Sequence, residues 1–135
     1  MQKNIDKLIT DFLMKKITPS FIIVFGSYAK NTVHDQSDMD IAFYNKDKAI
    51  TKYDIFMLAQ ELAAIIKKEV DLVNITEAST VFQAQIYTTG KVIYCHDNTL
   101  RMKEQMKALS MYAKLNEERK NILKKVDESG TIYEK

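Results

Sequence analysis

Apolar positions along this chain switch repeatedly between a helical and a strand-like period. Ile5, Leu8, Ile9, Phe12 and Leu13 recur at three- and four-residue spacing and predict a first helix over about residues 3–16. Pro19 separates it from an unbroken apolar run, Phe21-Ile22-Ile23-Val24-Phe25, which reads as a strand. Met39 to Tyr44 reads as a second strand. Ile55, Leu58, Ala59, Leu62, Ile65 and Ile66 mark a helix over about 52–67, and Val70 to Ile75 a third strand. Ser79 can cap a helix reaching Thr88, which Gly90 ends before a fourth strand, Lys91 to Cys95. Asn98 or Thr99 then caps a long helix to about residue 126, with Met102, Met106, Leu109, Ala113, Leu115, Ile122 and Val126 as its apolar stripe.

Helices and strands in this order predict an α/β (α+β) fold: a small mixed sheet with helices packed on one face, an open ligand-bearing face and a long C-terminal helix. The first two strands pair antiparallel if the first ends where the second begins. A chain of 135 residues suits one domain, here 1–128, followed by a short polar tail at 129–135.

Composition narrows the function classes. The net charge of +2 is spread through intermixed acids and bases, which argues against stable sequence-independent nucleic-acid binding. The single cysteine, Cys95, sits in an apolar run and reads as a small core residue. No stretch is long and apolar enough to span a membrane, and the start lacks the pattern of a signal peptide, so a cytoplasmic protein is expected.

The candidate chemistry lies between the first two strands. Gly26-Ser27 follows the first directly, and Asp38-Met39-Asp40 opens the second after ten intervening residues, Tyr28 to Ser37. Gly26 allows a sharp turn and close approach of a phosphate, and Ser27 opens a short helical segment whose free N–H groups stabilise an anion. Alternation along a strand points Asp38 and Asp40 to the same side. Two carboxylates on one face repel unless a cation intervenes, and Mg²⁺ prefers such oxygen ligands. Asp71 joins that face if Val70 and Leu72 face the core with Met39 and Ile41. It is then a third metal ligand or a base for an incoming hydroxyl.

Gly-Ser, ten residues, Asp-x-Asp and a later single Asp resemble the nucleotidyltransferase superfamily that includes DNA polymerase β. The small size most resembles the minimal nucleotidyltransferases (MNT) paired with HEPN ribonuclease toxins, the MntA-type antitoxins. The resemblance implies that Gly26 and Ser27 contact the triphosphate of ATP, that Asp38 and Asp40 hold Mg²⁺, and that Asp71 completes the catalytic and metal set. Many family members carry Ala-Arg-Gly after Gly-Ser-x, where this chain has Ala29-Lys30-Asn31. Lys30 keeps a cation at the nucleotide without arginine's bidentate fork. The implied activity is transfer of AMP from ATP to a hydroxyl, with a tyrosine of a cognate HEPN toxin as acceptor and binding partner. Two alternatives stand beside it: an antitoxin that masks the toxin by binding alone, and a nucleotidyltransferase for a small-molecule hydroxyl.

Other residues read more simply. His34 and His96 are expected in solvated loop or turn positions, and neither completes a zinc site with Cys95. HEPN nucleases carry an arginine followed closely by a histidine. Here Arg101 and Arg119 come after both histidines, so the chain is not the ribonuclease itself. The methionines of the last helix read as core, with partner binding or a homo-oligomer through that helix as the alternative. Lys114, Arg119, Lys120, Lys124 and Lys125, interleaved with Glu117 and Glu118, read as a solvated face.

Overall fold

The computed structural model describes residues 2–26, 38–46 and 49–129. Within them the chain runs α1 (Gln2–Lys16), β1 (Phe21–Phe25), β2 (Met39–Tyr44), α2 (Lys52–Ile66), β3 (Val70–Asn74), a 3-10 turn at Ile75–Glu77, α3 (Thr80–Thr89), β4 (Lys91–Cys95) and α4 (Asn98–Ser129). Among the described residues no helix is long and apolar enough to cross a membrane.

Local chemistry sets the boundaries. The Thr51 hydroxyl accepts from the Asp54 N–H while the Asp54 carboxylate accepts from the Thr51 N–H, a reciprocal cap that starts α2. Lys67 turns left-handed at φ 60° and closes that helix on Ala63. Ser79 caps α3 through the Phe82 N–H. The cap of α4 differs from expectation. Asp97, one residue earlier than anticipated, accepts from Leu100 N–H at 3.0 Å. A carboxylate there also complements the positive end of the helix dipole, an advantage that Asn98 and Thr99 lack.

The four strands form one mixed sheet in the order β3-β2-β1-β4. β1 pairs antiparallel with β2 and β4, and β2 pairs parallel with β3. The expected pairing of the first two strands holds, and it brings the end of β1 beside the start of β2: Phe25 lies opposite Asp40.

One expectation is corrected. Helices pack on both faces of the sheet, not one. Ile22, Val24, Met39, Ile41, Phe43 and Leu72 face α1 and α2, where Ile9, Leu13, Leu62 and Ile66 complete a core. Phe21, Ile23, Phe25, Ala42 and Tyr44 face the other way, against Ile86 and Tyr87 of α3 and Ala108 of α4. Phe21 stacks on Tyr44 at 5.0 Å within this second core. The reason is visible in β1 itself. Five consecutive apolar residues, all buried, require cover on both sides.

The methionine stripe of α4 is also corrected. Met102, Met106, Met111 and Ile122 are 50–67% exposed, whereas Ala108 is buried. On its covered side the helix places Ala108 in the second core with Leu100 packed against it, and these methionines stand outside that contact.

Candidate functional site

The site is built at one end of the sheet, where β1 stops and β2 and β3 begin. Val70 and Leu72 do pack with Met39 and Ile41 on the α1–α2 face. Strand alternation therefore throws Asp40 and Asp71 together onto the opposite face. The parallel register pairs them directly, Asp40 with Asp71. Asp38 precedes β2 by one residue and is exposed, as is Asp71, while Asp40 is partly buried.

The electrostatics follow from that placement. Burial raises the Asp40 carboxyl above its usual value, and the Asp71 and Asp38 carboxylates raise it further. All three influences disfavour the charged form. This is the field expected where carboxylates converge to receive a cation, and the hard oxygen donors suit Mg²⁺. Among the described residues no group of three or more His, Cys, Asp or Glu side chains is arranged to hold a metal ion.

Gly26 completes the described part of the site. It follows Phe25 with φ +77°, a conformation favouring glycine. A Cβ built there would run into Oδ2 of Asp40. The turn that can cradle an anion is thus in contact with the central carboxylate. Ser27 and Lys30, expected at the nucleotide, lie outside the described residues, as does His34.

Two aromatic residues at this end were not anticipated as part of the site. Phe25 lies opposite Asp40, and Phe82 of α3 meets it edge-on, with centroids 5.6 Å apart and planes at 79°. Phe25 could have been placed from the antiparallel pairing. Phe82 has no sequence signal beyond its position in a helix.

Comparison with known proteins bears on the whole arrangement. The family described as Polymerase beta, Nucleotidyltransferase matches residues 7–99. The chain is 36% identical over 124 residues to Protein adenylyltransferase MntA of Shewanella oneidensis, across 90% of this chain and 84% of that protein. Its fold is similar to a toxin–antitoxin crystal structure with AMP-PNP, at TM-score 0.80 and 34% identity over 90% of this chain and 97% of that one. It is also similar to the structure of tri-AMPylated Shewanella oneidensis HEPN toxin in complex with MNT antitoxin, at TM-score 0.78 and 32% identity over 93% of this chain and 98% of that one. The chain belongs to the polymerase β-type nucleotidyltransferase family, alongside the MntA-type minimal nucleotidyltransferases.

Proposed function

We propose that this chain is an antitoxin that transfers AMP from ATP to a tyrosine hydroxyl of a cognate HEPN ribonuclease toxin. The observation that carries the reading is the register pairing of Asp40 with Asp71 beside the Gly26 turn. The kinship with MntA supplies the acceptor class, since that relative is a protein adenylyltransferase and a similar structure holds an AMPylated HEPN toxin.

Each residue has a role in this reading. Gly26 and Ser27 hold the triphosphate through backbone N–H groups, and Lys30 adds a positive charge. Asp38 and Asp40 are the principal ligands for Mg²⁺, with Asp71 able to join them. When bound, the metal supplies neutralisation of charge on the α-phosphate and the departing pyrophosphate. Asp71 also takes the proton of the acceptor hydroxyl. The acceptor oxygen bonds to the α-phosphorus as the bond to pyrophosphate breaks, and pyrophosphate leaves along the Gly26 turn. A single domain over 1–128 carries these parts. The reading places the protein in the cytoplasm, where ATP and a ribonuclease's substrates meet.

Labelled ATP, Mg²⁺, the purified toxin and this chain test it together. Label is expected on the toxin, with loss of its ribonuclease activity. Asp38→Ala with Asp40→Ala is expected to abolish both effects. Full neutralisation by that double variant without label would favour masking by binding alone.

A further inference from the structure

Among the described residues, aromatic surface beside the carboxylates on their own face is supplied by the edge-on pair Phe25 and Phe82. Phe25 is fixed, 6% exposed and opposite Asp40. Phe82 is different. It is only partly buried, and one side of it rests on Phe25 while it also lines a cavity of about 370 Å³. Val73 lines the same cavity, which runs over the outer edge of β3, with Ile55 and Leu72 of the α1–α2 face on its far side. Val73 stands two residues beyond Asp71 on the same face of β3, roughly 6.6 Å along the strand. The Val73–Phe82 side of the cavity thus lies on the face of the carboxylate pair, two strand positions from Asp71.

We propose that Phe82, with Val73, forms the wall against which the base of the donor nucleotide packs. This rests on the reading of Asp38, Asp40 and Gly26 as the Mg²⁺–triphosphate site. The in-line reaction axis uses two directions at the α-phosphorus, one toward the Gly26 turn for pyrophosphate and one toward the acceptor. The nucleoside must leave the phosphorus off that axis, and among the described residues Phe82 and Val73 offer partly buried apolar surface on this face. The chemistry of the cavity suits a flat, stacked ligand. Two of its polar neighbours are already engaged, since Asn74 Oδ1 accepts from the Thr76 N–H and hydroxyl and Ser79 Oγ accepts from the Phe82 N–H. The exposed Glu77 stands at the rim, toward the side away from the carboxylate pair. Such a wall reads the face of a base more than its edge, so it favours purines over pyrimidines and separates ATP from GTP weakly.

Calorimetric titration of the full chain with Mg·ATP and with Mg·inorganic triphosphate, which has no base, tests the assignment. Phe82→Leu keeps an apolar contact on Phe25 but removes the ring face, and Phe82→Tyr keeps the ring. Phe82→Leu is expected to weaken Mg·ATP roughly tenfold or more while leaving inorganic triphosphate unchanged. Phe82→Tyr is expected to retain the wild-type affinity for both. In the transfer reaction, KM for ATP rises in Phe82→Leu and kcat at saturating ATP stays within about twofold. Equal weakening of both ligands would reduce Phe82 to packing and overturn the proposal, as would unchanged Mg·ATP affinity. If Phe82→Leu fails to fold, Phe82→Met, which keeps more of the side-chain volume, carries the same comparison. A wild-type chain that binds neither ligand would overturn this proposal together with the site reading beneath it. One that binds inorganic triphosphate as tightly as Mg·ATP would overturn this proposal alone.

Discussion

At residue 26 the backbone sits at φ +77°, and a methyl group there would collide with the Asp40 carboxylate. Gly26→Ala therefore combines a left-handed strain of about 1–2 kcal/mol with displacement of the central carboxylate. Transfer activity is expected to fall about a hundredfold, since a misplacement near 1 Å costs on that order. A kinetic assay at saturating ATP checks it. Asp40 makes a second prediction, on pH. Its folded-state carboxyl is raised, first by burial and then by Asp71 and Asp38. The stability associated with the protonated form is fully present below the usual 3.8 and is lost as pH rises through the raised value. Asp40→Asn, which never ionises, is expected to melt above the metal-free wild type at neutral pH and alongside it in acid. Adding Mg·ATP is expected to raise the wild-type melting temperature and leave Asp40→Asn nearly unmoved. Thermal melts at the two pH values, with and without Mg·ATP, decide both points.

Elements set where these residues can meet. β1 ends and β2 begins at the same end of the sheet because they pair antiparallel, and β3 joins in parallel register, so Asp40 meets Asp71 without any specialised loop. Much of this could be read from the chain. The limits of β1 coincide with an unbroken apolar run, those of β2 and β4 with short apolar runs interrupted by Asp40 or opened by Lys91, and the face of Asp71 followed from its neighbours Val70 and Leu72. The second helical layer was legible in principle from the wholly apolar β1, but its owners were not. Only tertiary packing reveals that Ile86 and Tyr87 of α3 cover Phe21 and Ile23. The cap at Asp97 was missed because three adjacent residues, Asp97, Asn98 and Thr99, all have side chains able to cap. The joint between α3 and β4 gives the element-scale prediction. A Cβ at Gly90 would strike Ile23 Cγ2 and crowd the Ile86 carbonyl. Gly90→Ala is expected to destabilise the fold by about 1–3 kcal/mol through overpacking, read as a lower midpoint in urea.

For the molecule as a whole, the sheet end with its carboxylates and the long last helix are separate features. Residues 117–124 of α4 are all exposed, and Ile122 and Leu123 are 59% and 64% exposed. This stretch therefore adds little to the buried core. Truncation after Asn116 is expected to change stability by only about 0.5 kcal/mol, within the range of surface changes. Urea unfolding of the truncated chain checks this. The methionines misled because helical spacing alone does not say which side of a helix is covered. Ala108, a small residue, marks the covered side, and Met102 and Met106 point elsewhere.

The central claim is that Asp40 and Asp71, brought together by strand register beside Gly26, drive adenylyl transfer. Its most direct test is the intact mass of the cognate HEPN toxin after incubation with ATP, Mg²⁺ and either this chain or its Asp40→Asn or Asp71→Asn variants. The account predicts whole AMP additions with the wild-type chain and an unmodified toxin with either folded variant. AMP additions of equal extent from the variants, or none from a wild-type chain that binds both Mg·ATP and the toxin, would contradict it.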